Sequence, residues 1–179
     1  MSLMAITGNL GQGKTLLLIY YGLRNKLIHK RNVFANLPIK FYDGKKLVGK
    51  AQLIEDPSEI ESLENGAFLG DELWAWLDAR NFGKKSNQLL AKILLTSRKK
   101  SVQIFYTTQT IDQMEKRVRD ITDFEAVPML LSKKTKCRVT VYQLLRGKRI
   151  RILKTFQFRT PELFKMYDTN YIIETKGMV

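Results

Sequence analysis

The apolar positions of this chain change period along its length, and the changes mark out its elements. Leu3–Thr7 is a short apolar run that ends at a glycine, which predicts a buried strand. A helix is predicted from Lys14 to Lys30, with Leu16, Tyr20, Leu23 and Leu27 on one face. A second strand, Asn32–Asn36, ends ahead of Pro38, which disfavours helix at Leu37. Asp43–Lys50, with its glycines and lysines, reads as a hairpin or loop. Asp56-Pro57-Ser58 reads as a turn into a short helix over Glu59–Leu63. Asn65-Gly66 turns the chain into the apolar strand Ala67–Leu69. A helix with Leu73, Trp74 and Leu77 follows, then an exposed loop over Asn81–Ser86. Another helix spans Asn87–Arg98, with Leu89, Leu90, Ile93 and Leu94 at helical spacing. Val102–Thr107 is a continuous apolar and aromatic run, the pattern of a parallel strand buried on both faces. Strands alternating with helices predict a parallel sheet covered on both sides.

The last third changes period. Cys137, Val139 and Val141 alternate with Arg138, Thr140 and Tyr142. After Arg146-Gly147, Ile150, Ile152, Phe156 and Phe158 share one phase of a second alternating run. Two such runs about a glycine turn predict an antiparallel hairpin. Lys154 falls on the apolar phase, which calls for a bulge or a side chain that reaches past its neighbours to water.

Length and composition narrow the picture. The 179 residues suit a single domain with a proper core, and 44% apolar content excludes wholesale disorder. Residues 1–125 read as the main α/β core, and 126–179 as a basic hairpin with a C-terminal segment. One cysteine, Cys137, excludes an internal disulfide framework and reads as a packed small residue. His29 has no metal partner at useful spacing and reads as surface. No apolar run approaches the ~20 residues that cross a membrane, and the N-terminus lacks the pattern of a secretory signal.

Charge adds a candidate partner. Thirty-one Lys and Arg face seventeen Asp and Glu, a formal net charge of +14. The segment 126–161 contains no acid, yet carries Lys133, Lys134, Lys136, Arg138, Arg146, Lys148, Arg149, Arg151, Lys154 and Arg159. Such a surface attracts polyanions, with DNA phosphate the natural candidate at Arg146, Lys148, Arg149 and Arg151. A solubilising surface is the plainer reading of the same charges.

The strongest chemical motif stands near the start. Gly8-Asn9-Leu10-Gly11-Gln12-Gly13-Lys14-Thr15 matches G-x-x-x-x-G-K-[ST] between a strand and a helix. Glycines let consecutive amides turn toward phosphate oxygens, and the helix start adds unpaired N–H groups. Lys14 is placed to reach the β- and γ-phosphates of ATP, and the Thr15 hydroxyl to ligate Mg²⁺.

A second motif closes the next strand. Ala67-Phe68-Leu69-Gly70 ends in Asp71-Glu72. With a phosphate loop upstream, Asp71 is the candidate holder of Mg²⁺ and Glu72 the candidate base for the attacking water. Either acid alone also suits an ordinary helix start. A base for water points to hydrolysis rather than to phosphoryl transfer onto a small acceptor. At the end of Val102–Thr107, Gln109 is the candidate sensor of the γ-phosphate, although a glutamine also suits a helix start. Arg98, Arg117 and Arg119 are candidates to stabilise transition-state charge from a neighbouring subunit, with Arg80 weaker; each also reads as a plain surface charge.

The ordered set resembles the FtsK-HerA superfamily. Within it the chain is similar to zonula-occludens-toxin-like and filamentous-phage assembly ATPases and to packaging ATPases of archaeal viruses. The resemblance is carried by the N-terminal phosphate loop, Val33-Phe34-Ala35-Asn36-Leu37-Pro38, and Asp71-Glu72 with the helix ending Asp78-Ala79-Arg80. It continues through Ser97-Arg98-Lys99, Thr108-Gln109, Ile111-Asp112, Arg117-Val118-Arg119 and Thr122-Asp123. It closes at Leu163-Phe164-Lys165-Met166-Tyr167-Asp168-Thr169. The resemblance implies a RecA-like α/β/α fold with a mainly parallel sheet, ATP with Mg²⁺, an oligomeric ring (often a hexamer) and DNA passing through it. By position it places the sensor on Gln109 and the trans arginine on Arg98 or Arg119.

Filamentous-phage relatives carry a membrane span and a periplasmic part after the ATPase, and the sequence to Val179 shows neither. The expectation is therefore an ATP-driven DNA translocase for genome packaging or virion assembly. Its expected place is the host cytoplasm, with the virion or the membrane reached through partner proteins. The alternatives are a membrane-associated assembly or secretion ATPase acting on proteins, and a small-molecule kinase.

Overall fold

Both kinds of alternation, the parallel core and the C-terminal hairpin, join in one sheet. The structure is a computed structural model that describes residues 2–73, 75, 100–114 and 116–171. Ten strands are present among them. They are β1 (Leu3–Thr7), β2 (Asn32–Ala35), β3 (Lys40–Asp43), β4 (Lys46–Lys50), β5 (Gln52–Leu53) and β6 (Gly66–Gly70). The rest are β7 (Gln103–Thr108), β8 (Phe124–Leu130), β9 (Lys136–Leu145) and β10 (Lys148–Arg159). Eight form the main sheet, in the order β10-β9-β8-β1-β7-β6-β2-β5. From β8 to β5 every pairing is parallel, while β9 and β10 extend the sheet antiparallel beyond β8. The expected hairpin over 43–50 is the separate pair β3–β4, which turns at Gly44.

The sheet has a core on each face, because successive strand residues point to opposite sides. Met4 and Ile6 of β1 pack into one core, while Leu3 and Ala5 pack into the other. The first core lies under helix α1 (Lys14–Leu27). The second lies under a 3₁₀ turn over Pro57–Ser62 and the short helix α2 (Lys116–Ile121). The turn at Asp56 has a reciprocal cap: Asp56 accepts from the Ser58 N–H, and Glu59 accepts from the Asp56 N–H.

Helix α1 starts at Lys14 as expected but ends at Leu27, three residues before Lys30, which sits at φ 54°. Its buried face includes Leu16 of the predicted one and extends beyond it. Leu17, Leu18, Tyr21, Gly22 and Asn25 are buried, whereas Tyr20 and Leu23 are half-buried at the flank. The helix lies so close to the sheet that a Cβ on Gly22 would stand 2.5 Å from Leu69 Cδ1. Polar Asn25 is tolerated in that face because its Nδ2 donates to the Tyr21 carbonyl at 3.0 Å.

Strand β8 was not expected. Pro128 demotes such a run to an edge, and β1 indeed pairs with it only as far as Ala126. The C-terminal hairpin turns at Arg146-Gly147, both at positive φ as a tight hairpin turn requires. Its register slips twice, between Arg149 and Arg151 and between Ile152 and Lys154, which supplies the irregularity that Lys154 called for. Cys137 is buried and His29 exposed, as read from the sequence. The expected helix around Trp74 and Leu77, the loop Asn81–Ser86 and the helix Asn87–Arg98 lie outside the described residues, apart from buried Leu73 and from Ala75.

Candidate functional site

The site forms where β1, β6 and β7 end beside the start of α1. Gly13 precedes the helix at φ 96° with no side-chain cap, so the first-turn N–H groups remain open to an anion. A Cβ there would lie 3.1 Å from Leu130 Cγ as well as strain the backbone, so this position needs glycine. Lys14 is 6% exposed. Its Nζ donates to the carbonyls of Gly8 (2.9 Å) and Asn9 (3.3 Å), which keeps the ammonium inside the loop. Asn9, Leu10 and Gly11 form an exposed apex, and Gln12 folds its Oε1 over Gly8.

The carboxylate pair stands next to this loop. The Thr15 hydroxyl donates to Asp71 at 3.1 and 3.2 Å, and Lys14 Nζ lies 4.0 Å from Glu72 Oε1. Burial holds the Asp71 carboxyl above its usual range, and Glu72 beside it pushes the same way. Hydrogen bonds from Thr107 and Thr15, and the Lys14 charge, act in the opposite sense. Glu72 adopts φ 43°, a left-handed conformation that costs a non-glycine residue ~1–3 kcal/mol.

Two further side chains brace the pair, and both sit on neighbouring strands. Asn36, just past β2, donates from Nδ2 to the Asp71 carbonyl and accepts the Asp71 N–H on Oδ1, each at 2.8 Å. Thr107 of β7 donates to Asp71 Oδ1 and accepts the Glu72 N–H, each at 2.7 Å. Neither residue was given a role from the sequence, which offered Gln109 as the polar group at this strand end. Gln109 stands two residues further on, and its carbonyl accepts the Gly8 N–H at 3.0 Å. The strand end therefore touches the carboxylates through Thr107 and the phosphate loop through the Gln109 backbone.

A pocket of about 230 Å³ opens on the Thr15 side, lined by Thr15, Leu37, Asp71, Glu72, Tyr167 and Asp168 among others. The closing Tyr167-Asp168-Thr169 segment thus reaches the site. Burial and the nearby Asp71 charge push the Tyr167 hydroxyl up to about 12, so it stays protonated. The donor set fits a divalent cation. Half-buried Asp71 lies beside a second carboxylate and a hydroxyl, and a cation would offset the charge that desolvation disfavours there. Among the described residues no group of three or more His, Cys, Asp or Glu forms a metal cage.

The remaining candidates are more scattered. Arg119 Nη1 binds Asp112 at 2.6 Å within the same chain, beneath the hairpin turn at Gly147. Arg98 and Arg80 lie outside the described residues, and α2 carries Arg117. Arg146, Lys148, Arg149 and Arg151 are all exposed, but they are not equivalent. Arg149 grips Glu125, which is 4% exposed, with Nε at 2.6 Å and Nη2 at 2.8 Å, and lies over the Tyr142 ring. Glu125 also accepts from the Thr7 hydroxyl at 2.5 Å. Arg149 thus anchors the hairpin to the end of β1. Its acid lies one residue before the acid-free stretch, so the sequence pattern hid it. Arg151 Nε donates to Gln143 at 2.7 Å.

Known proteins resemble this chain in sequence or in fold. No family model matches the chain. The Gene 1 protein of Salmonella phage IKe is 29% identical over 138 residues, covering 67% of this chain and 38% of that protein. The Gene 1 protein of Enterobacteria phage I2-2 is 28% identical with the same coverage. This chain thus spans well under half the length of the curated relatives it matches. In structure, the N-terminal domain of zonular occludens toxin from Neisseria meningitidis matches with a TM-score of 0.55 at 19% identity, covering 93% of this chain and 98% of that one. B204, the DNA-packaging ATPase from Sulfolobus turreted icosahedral virus, matches with a TM-score of 0.55 at 14% identity, covering 86% and 97%. The fold is that of the P-loop ATPases. The resemblance read from the motifs holds, with the toxin domain and the archaeal-virus ATPase as structural neighbours and the phage proteins as sequence relatives. B204 from Sulfolobus turreted icosahedral virus 2, also a neighbour, was solved with AMPPCP bound.

Proposed function

We propose that this chain hydrolyses ATP and uses the energy to move viral DNA during genome packaging or virion assembly. One observation carries the hydrolytic part: Asp71 and Glu72 stand against the phosphate loop, in contact with Thr15 and Lys14. The loop amides and Lys14 bind the β- and γ-phosphates. Thr15 and Asp71 would hold Mg²⁺, which would draw charge from the phosphate oxygens. Glu72 takes a proton from the attacking water. With Glu72 at φ 43°, its Oε1 stands 4.0 Å from Lys14 Nζ.

Packaging is supported by the fold shared with B204 and by the cations of the hairpin. Arg146, Lys148 and Arg151 are the proposed contacts to DNA phosphate, with Arg149 supporting them from below. The active form is proposed to be a ring of copies, six by analogy, with Arg98 or Arg119 supplied in trans. The Arg119 pair with Asp112 is no obstacle, because Asp112 is 81% exposed and such a pair costs little to exchange. We place the ring in the host cytoplasm, at the virion or at the membrane through partners. No helix among the described residues is long and apolar enough to cross a membrane.

One observation favours a second reading, assembly work on protein partners. The hairpin exposes Leu145, Ile150, Ile152 and Leu153 among its cations, and apolar side chains add nothing to phosphate binding. Phosphate release with and without DNA separates the readings. The packaging reading expects stimulation by DNA, lost on neutralising Arg146, Lys148 and Arg151 while basal turnover persists. Turnover indifferent to DNA removes the translocase and leaves the ATPase.

A further inference from the structure

We infer that Asn36 and Thr107 are positioning residues that set the aim of the Asp71–Glu72 pair, an inference that rests on the hydrolytic reading above. Adjacent strands explain the arrangement. β6 lies between β7 and β2, and Gly70 pairs with Tyr106, so the next step in register sets Asp71 opposite Thr107. On the other side, Ala35 pairs with Leu69, which brings Asn36 beside the same strand end. The central strand thus finishes between two buried polar side chains, Asn36 at 3% and Thr107 at 0% exposure.

Their chemistry fits the task. The Asn36 amide has one donor edge and one acceptor edge, and both are spent on the Asp71 backbone. This fixes the peptide plane on each side of Asp71. The Thr107 hydroxyl has one hydrogen, given to the Asp71 carboxylate, and a lone pair, given to the Glu72 N–H. One oxygen therefore ties the metal-side carboxylate to the backbone of the base. It also holds Glu72 in a backbone conformation that few non-glycine residues adopt. Thr15 donates to Asp71 as well, but on the hydrolytic reading its hydroxyl would turn to the cation. Thr107 is then the hydroxyl donor that Asp71 retains.

The test reads Mn²⁺ affinity in the presence of ADP by EPR, beside steady-state ATP turnover. It uses wild type, Thr107→Val, Thr107→Ser and Asn36→Ala, with folding of each checked by its melting curve. Thr107→Val is close in shape and lacks the hydroxyl. It should weaken Mn²⁺ binding about tenfold and lower kcat by about ten- to a hundredfold, the range seen for partners of metal ligands. KM for ATP should move by less than about threefold, because the phosphate loop is untouched. Thr107→Ser keeps the hydroxyl and should restore both readings. Asn36→Ala should act in the same direction as Thr107→Val. A purely structural role would lower the melting temperature and leave Mn²⁺ affinity and kcat alone. That result in Thr107→Val would overturn the inference, as would failure of Thr107→Ser to rescue. Should wild type bind Mn²⁺ with ADP yet not turn over ATP, the hydrolytic reading falls, and the Mn²⁺ series still decides the positioning roles.

Discussion

The phosphate-loop end of β1 and the hairpin edge of the sheet hold their cations in opposite ways. Lys14, at the phosphate loop, is buried, surrounded by main-chain carbonyls and within 4.0 Å of Glu72. The cations of β9–β10 stand in water on an edge strand with two register slips. Slips and charges on an edge also discourage pairing with another sheet. At the first end the Lys14 ammonium and the Asp71 carboxylate have fixed partners, so geometry carries the chemistry. At the second, charge acts at a distance and individual positions tolerate change. Arg149 is the exception that joins the ends. It belongs to the hairpin by sequence, yet its guanidinium neutralises a buried acid that also touches Thr7, the residue before the phosphate loop.

Substitutions can break or sharpen this contrast. The largest effect is expected at the buried end. Lys14→Ala should reduce ATP turnover by on the order of a thousandfold, measured as phosphate release, since it removes a preorganised charge from the transferring phosphate. Wild-type turnover in that variant would remove the distinction altogether.

The next effect tests the exception. Arg149→Ala should cost about 2–3 kcal/mol in urea unfolding, because it strands Glu125 in the interior without its guanidinium. Arg146→Ala and Lys148→Ala should each cost less than about 0.5 kcal/mol, as surface changes do. Equal costs at all three positions would mean that Arg149 is an ordinary surface charge.

A smaller effect belongs to the exposed cations. Neutralising Arg146, Lys148 and Arg151 together should reduce the slope of log affinity for DNA against log salt by about one unit per cation. An unchanged slope would move the DNA contact elsewhere on the molecule.

The smallest effect is chemical. Burial pushes the Cys137 thiol up to about 11, so above pH 11 it ionises and at pH 8 it is almost wholly protonated. Alkylation at pH 8 should be negligible in the native protein and complete in urea. Cys137 Sγ lies 3.6 Å from where a Gly13 Cβ would be, so rapid native labelling would show the hairpin leaving the loop.

The phosphate loop and the parallel core were legible because their signals are local. Glycines at fixed spacing sit between a strand and a helix, and continuous apolar runs mark buried strands. The Asp71-Glu72 pair was legible for the same reason. The parts that escaped depend on partners far away in sequence. Strand β8 carries Pro128 and buried Glu125, and both make sense only once its pairing with β1 ends at Ala126 and Arg149 arrives from β10. The buried face of α1 extends beyond Leu16 and its flank because Asn25 and Gly22, which complete it, carry no apolar signal. Asn36 and Thr107 could not be given roles, because their function is fixed by the register of β2 and β7 against β6. Sequence spacing does not reveal that register.

The most direct test of the account compares wild type with Glu72→Gln at saturating Mg²⁺ and ATP, reading phosphate release and nucleotide binding on the same preparations. ATP binding should stay within about threefold of wild type and turnover should fall by at least about a hundredfold, the loss expected when a general base is removed. Turnover close to wild type, with binding intact, would contradict the assignment of Glu72 as the base.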